Sequence, residues 1–169
     1  PNKAERAECK ALHKAYREEW LQELAPITRK GETYQEGFLH HLKLKNKSAT
    51  ALARLQEHPL FSSVRALECY ALDVEQVGQL QTIGRLEELV IHAFEEFRQR
   101  EVSIISLLAA LPFRETLQRI SFVTGENSRE SVFLLRALWS ELKAIFPKLT
   151  RWSLQTKGCF HFSFQADEA

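Results

Sequence analysis

The side chains most able to do chemistry in this chain are six histidines and three cysteines, and their spacing argues against a catalytic or metal centre. Cys9 and His13 are four apart, which on a helix would turn two ligands to one side, but no second pair completes a tetrahedral set. His40 and His41 are adjacent on an alternating stretch, so they point to opposite faces and cannot share a metal or a proton. Glu88 and His92 share one face of a strand, where a surface pair is the commoner outcome. Gly125 stands alone, without the glycines and lysine of a phosphate loop, and no G-x-S-x-G or H-E-x-x-H motif occurs. Cys9, Cys69 and Cys159 are odd in number and form no C-x-x-C pair, which reads as three reduced thiols and no disulfide framework. The expectation is a non-enzymatic protein with no catalytic residue, cofactor or metal ligand.

Binding chemistry is better represented. His41, Lys43, Glu68, Tyr70, Glu88, His92, Arg119 and Arg151 recur at matching places in a repeated phrase, and they are the candidate partner-binding residues. The phrase is apolar, two residues, apolar, one residue, apolar. It occurs as Leu39-x-x-Leu42-x-Leu44, Val64-x-x-Leu67-x-Cys69, Leu86-x-x-Leu89-x-Ile91, Leu117-x-x-Ile120-x-Phe122 and Leu149-x-x-Trp152-x-Leu154. Alternation puts the fourth and sixth positions on one face of a short strand and the third and fifth on the other. The outward column then holds His41, Ala66, Glu88, Arg119 and Arg151, followed by Lys43, Glu68, Val90, Ser121 and Ser153. Lys43 with Glu68, and Glu88 with Arg119, stand where they can pair across strands. Tyr70, Arg119 and Arg151 are of the types enriched at interface hot spots.

The phrases begin 25, 22, 31 and 32 residues apart, and stretches of helical period separate them. Leu52 and Leu55 fill the first gap, and Val74, Val77, Leu80 and Ile83 the second. Val102, Ile105, Leu108 and Leu111 fill the third, and Val132, Leu135, Leu138, Leu142 and Ile145 the last. Spacings of three and four give one apolar helix face each. Strand and helix in alternation predict right-handed crossovers and a parallel sheet. Pro59, Pro112 and Pro147 precede the second, fourth and fifth phrases, stopping one element and aiming the next. Residues 94–100 read as a polar insertion, and Asn127 or Ser128 as an N-cap after residues 124–129.

Both ends of the chain differ from the middle. Residues 3–24 lack glycine and proline, are rich in helix formers, and place Cys9, Leu12, Tyr16, Trp20 and Leu24 on one stripe. This predicts a helix that lays the stripe, Trp20 included, over the end of the repeats, with Pro26 ending it. Residues 29–36 read as a polar connector. At the other end, Phe160, Phe162 and Phe164 alternate after Gly158, which predicts an antiparallel hairpin strand closing the sheet and then a disordered acidic tail.

The phrases resemble bacterial leucine-rich-repeat proteins of the ribonuclease-inhibitor-like type. The stretch from His13 to Pro26, with Trp20-Leu21, followed by Glu36-Gly37-Phe38-Leu39, resembles the repeat-companion segment that precedes degenerate repeats in such proteins. The asparagine usual after the last apolar position is present only as Asn46, two residues beyond Leu44. The resemblance implies a binding scaffold and carries no catalytic residues. The expected fold is therefore an α/β leucine-rich-repeat-like solenoid: a short parallel sheet, helices on its outer face, an N-terminal helical cap and a C-terminal β-hairpin cap. The expected boundaries are a cap over residues 1–36, a solenoid of about five units over 37–156, and a closing strand and tail over 157–169.

Composition fits one globular domain. The 169 residues are 44% hydrophobic and 27% charged, with a formal net charge of +1. Residues 1–47 carry +3 and the remainder −2, and the basic excess lies at Lys43, Lys45 and Lys47. Those lysines offer a second reading, contact with a polyanion or nucleic acid. Too few arginines and exposed aromatics accompany them to make it the first, and edge lysines that discourage aggregation explain them as well. No apolar run reaches the roughly 18 residues that cross a membrane, and no signal-peptide stretch opens the chain. The expectation is a cytoplasmic scaffold whose partner is another protein.

Overall fold

The computed structural model describes residues 2–46, 48–80, 82–92, 104–125, 139–156 and 161–165. It is α/β, with one mostly parallel seven-stranded sheet ordered as the strands occur in the chain. The strands are β1 (Thr33–Gln35), β2 (Phe38–Lys43), β3 (Ala66–Tyr70), β4 (Glu88–His92), β5 (Arg119–Thr124), β6 (Arg151–Thr156) and β7 (His161–Gln165). β2 to β6 pair in parallel, while β1 and β7 pair antiparallel at the two edges. The helices are α1 (Lys3–Leu21), α2 (Ala49–Leu52), α3 (Val74–Val77), α4 (Ile104–Ala109) and α5 (Trp139–Ile145).

The strand parity expected from the phrase holds at every unit. Leu39, Val64, Leu86, Leu117 and Leu149, the first positions, are buried. So are the fourth and sixth positions, Leu42 and Leu44 through Trp152 and Leu154. They form one core with Leu52, Val74, Val77, Leu80, Leu108, Leu111 and Leu142 from the connecting segments. The phrases are also in backbone register. The second positions, His40, Arg65, Glu87, Gln118 and Thr150, are linked in a chain: the carbonyl of each of the first four accepts from the equivalent amide of the next phrase, at 2.8–2.9 Å. Two junctions add a hydroxyl: Ser63 Oγ donates to the Leu39 carbonyl at 2.9 Å and Thr116 Oγ1 to the Leu86 carbonyl at 2.8 Å. This bridging gives the carbonyls of two buried first-position residues a hydrogen-bond partner.

The connections are less helical than their periodicity predicts. α2 and α3 are single turns of four residues, and Leu80 and Ile83 are buried outside any helix. A step of three throughout is the period of a 3₁₀ turn rather than an α-helix. The chain also uses 3₁₀ turns, at Pro59–Ser63, where Pro59 opens the turn, and at Ala71–Asp73. Val102, residues 94–100, Asn127, Ser128, Val132, Leu135, Leu138, the turn at 157–160 and the acidic tail lie outside the described residues.

Two further corrections concern the N-terminal segment. Residues 29–36 are not only a connector: Thr33–Gln35 form β1, hairpinned to β2 with Gln35 opposite Phe38. The two loop residues, Glu36 and Gly37, have φ of 52° and 85°, the positive pair that a tight hairpin turn requires. β2 is therefore not an edge strand, and its lysines have no edge to protect. In α1, begun by a reciprocal Asn2–Glu5 capping box, the stripe of Leu12, Tyr16 and Trp20 is not laid over the core; these residues are 47%, 46% and 41% exposed. α1 ends at Leu21, and the chain tightens into a 3₁₀ turn, Gln22–Ile27, that contains Pro26. Leu21, Leu24 and Ile27 enter the core instead, because that tightened turn rotates the last apolar residues inward.

Candidate functional site on the outward sheet face

The outward face of β2–β6 is half-buried to exposed except at the small residues Ala66 and Ser153, which are buried, whereas the large apolar side chains of the opposite face are fully buried. At its β2–β4 end three of the candidate residues, His41, Lys43 and His92, converge on the carboxylate of a fourth, Glu68. Glu68 Oε1 lies 2.6 Å from Lys43 Nζ and 3.2 Å from His41 Nε2. Its Oε2 lies 3.3 Å from His92 Nε2 and 3.1 Å from an Arg29 guanidinium nitrogen. The Tyr70 and His92 rings stack with centroids 5.3 Å apart, and the Arg29 guanidinium sits 5.4 Å above the Tyr70 ring. Burial by itself would raise the Glu68 carboxyl's pKa. Hydrogen bonds from His41, His92 and Lys43, with the Lys43 charge, more than reverse that and hold it far below the ordinary carboxylate range.

Arg29 was not among the candidates because it belongs to no phrase. Its position is set by the turn between α1 and β1. Arg29 donates its amide to the Lys43 carbonyl at 2.7 Å, and Lys45 donates its amide to the Ile27 carbonyl at 2.8 Å, extending β2. Arg17 of α1 fixes the same turn: it ion-pairs with the fully buried Glu32 and donates to Thr28 Oγ1 at 2.8 Å and to the Arg29 carbonyl at 3.2 Å. Gly31, at φ 105°, lies where a Cβ would stand 3.2 Å from Lys43 Cε, so glycine leaves room for that side chain to cross toward Glu68. Arg17 lies off the apolar stripe of α1 by spacing, and only the fold reveals it as a clamp.

The remaining candidates, Glu88, Arg119 and Arg151, occupy the β4–β6 end of the same face. Arg119 pairs with Glu88 at 3.0 Å, as the cross-strand reading expected. Beside them Ser153 Oγ and Ser121 Oγ share a hydrogen bond at 2.9 Å, and a polar recess of about 200 Å³ opens among Glu88, Arg119, Ser121, Arg151, Ser153 and Gln155. The eight candidates thus form two groups on one face, not one constellation.

The basic edge is largely spent on the protein itself. Lys43 is held by Glu68, and Lys45 Nζ donates to the Pro26 carbonyl at 2.5 Å. Lys47 lies outside the described residues. Cys69 is fully buried, and burial first, then the Asp73 and Glu68 charges, pushes its thiol well above its ordinary range. Cys9 and Cys159 have no described side chains. Among the described residues no three His, Cys, Asp or Glu side chains are arranged to hold a metal ion. No helix among them is long and apolar enough to cross a membrane. No protein-family model, curated protein or solved structure matches this chain.

Proposed function

We propose that this protein is a non-enzymatic interaction scaffold, a leucine-rich-repeat-like solenoid that takes a protein partner on the outward face of its sheet. The observation that carries the reading is the asymmetry of that sheet. One face is an unbroken apolar core, and the other presents ordered charged and aromatic side chains. Among the described residues, the apolar side chains of the connecting segments pack into the core on the first face. Repeat scaffolds use an open sheet face of this kind for partners. The register-matched second positions and the hydroxyl bridges support the solenoid, since equivalent atoms bond unit to unit. Leu21, Leu24 and Ile27 serve as the N-terminal cap and antiparallel β7 as the C-terminal one.

The same chemistry speaks against catalysis at this site. A carboxylate held far below its ordinary range is a poor base, and a fully buried thiol of raised pKa is a poor nucleophile. The network is instead pre-organised: Tyr70 and Arg29 hold fixed orientations before any partner arrives, which lowers the entropic cost of binding. Polyanion binding is not favoured at Lys43 and Lys45, because both are already engaged within the protein.

The test is capture of partner from extract of the source cells with tagged full-length protein. Tyr70→Ala combined with Arg119→Ala should weaken capture by at least about 2 kcal/mol, roughly thirtyfold, the usual hot-spot threshold. Arg54→Glu, on the side of the connecting segments, should leave it unchanged. The opposite pattern would place binding on the convex side and end the proposal.

A further inference from the structure

Among the described residues, the recess at the β4–β6 end shows an imbalance of charge. Glu88, Arg119 and Arg151 are direct partners in register across β4, β5 and β6. Arg119 is shared with Glu88 at 3.0 Å, while Arg151 has no anionic side chain within bridging distance among the described residues. Two arginines directly opposite each other on adjacent strands repel. Among the described residues, two guanidinium groups against one carboxylate leave the recess lining with one positive charge in excess.

The uncharged lining is directional too. Ser153 Oγ and Ser121 Oγ share one hydrogen bond, so whichever hydroxyl accepts in it still has its own proton to give. Gln155 adds an amide that can donate. Arg151, the Ser121–Ser153 pair and Gln155 therefore offer donors around a polar space of about 200 Å³, which suits a small planar anion. The charge count selects among anions. A carboxylate brings the single negative charge that balances the recess, whereas a phosphoryl dianion would overshoot and face Glu88 as well.

We propose that this recess receives one side-chain carboxylate, from a Glu or Asp carried by the partner segment that lies across the sheet face, with Arg151 as its principal ligand. The inference rests on the sheet-face reading above and specifies its chemistry: the partner presents an acidic residue at the β4–β6 end, while Tyr70 and Arg29 meet the rest of the segment. A guanidinium fork matches a carboxylate bidentately, which fixes orientation as well as affinity.

The test is a titration of the full-length, ¹⁵N-labelled protein followed by NMR at the Arg151 side-chain Nε–H and the Ser121 and Ser153 amides. The probes are an end-capped octapeptide whose only charge is one Glu, its Gln counterpart, acetate and inorganic phosphate. The Glu peptide should move all three signals saturably, with the Gln peptide, acetate and phosphate at least tenfold weaker. Arg151→Gln should weaken the Glu peptide at least tenfold while the remaining amide spectrum keeps its folded pattern. Glu88→Gln should tighten it severalfold by releasing Arg119, a gain that a merely structural role for the ion pair would not give. Equal response to Glu and Gln peptides, an unaffected Arg151→Gln variant, or weaker binding by Glu88→Gln would overturn the assignment. Acetate binding as well as the peptide would make this a small-acid site, and tighter phosphate binding a phosphoryl site; either result also overturns it. If the recess stays silent while Tyr70→Ala still abolishes partner capture, only the recess assignment falls. If Tyr70→Ala captures normally and Arg54→Glu does not, the sheet-face reading falls with it.

Discussion

Replacing Glu68 by Gln keeps the side chain's size and removes the negative charge that four basic groups share. The Glu68 side chain is 12% exposed, and its cations Lys43 and Arg29 are 27% and 34% exposed. A buried ion pair that loses one partner costs roughly 3–5 kcal/mol, and an exposed pair about 0–1. The network lies between these limits, so E68Q should cost about 2–3 kcal/mol at neutral pH. For a chain of this length that lowers Tm by roughly 5–10 °C. The pH dependence is the sharper measurement. Folding depresses the Glu68 pKa, so on acidification the unfolded chain takes up the proton first. The stability supplied by the ionised carboxylate is complete above the ordinary value of about 4.3, and below it drains by up to about 1.4 kcal/mol per pH unit. Gln has no proton to bind and lacks this part of the acid limb. Urea unfolding of both proteins should therefore show a gap that is widest near pH 7 and nearly closed by about pH 2.5. A gap below about 0.5 kcal/mol at neutral pH, or one unchanged on acidification, would refute the energetic role given to this cluster.

Two further substitutions test the packing. Leu89→Ala on β4 removes a fully buried side chain and should cost about 2–5 kcal/mol, whereas Val90→Ala on the opposite face should cost less than half of that in the same urea titration. Leu21→Ala should destabilise α1's attachment by a similar 2–5 kcal/mol. Trp20→Ala, whose residue is 41% exposed, should lower Tm by no more than a few degrees; equal shifts in thermal melts would return the apolar stripe to the core.

Local periodicity determined much of this protein without any structure. Alternation at period two depends only on neighbours along the chain, so the inward and outward residues of β2 to β6, including Cys69 facing in and Tyr70 facing out, could be read directly. The antiparallel return of β7 followed from alternating phenylalanines after Gly158, and the pairing of Glu88 with Arg119 from their matching places in the phrase. What the sequence left open depends on contacts between distant segments. The α1 stripe is amphipathic by spacing, yet spacing does not say which face meets the body; Leu21, Leu24 and the Arg17–Glu32 pair decide it. β1 escaped notice because its turn is Glu36-Gly37, not the Asn-Gly or Asp-Gly that signals a tight hairpin. Arg29 lies in no repeating pattern at all. It becomes part of the site only because the turn between α1 and β1 folds against β2 and carries its guanidinium to Glu68, thirty-nine residues further along the chain.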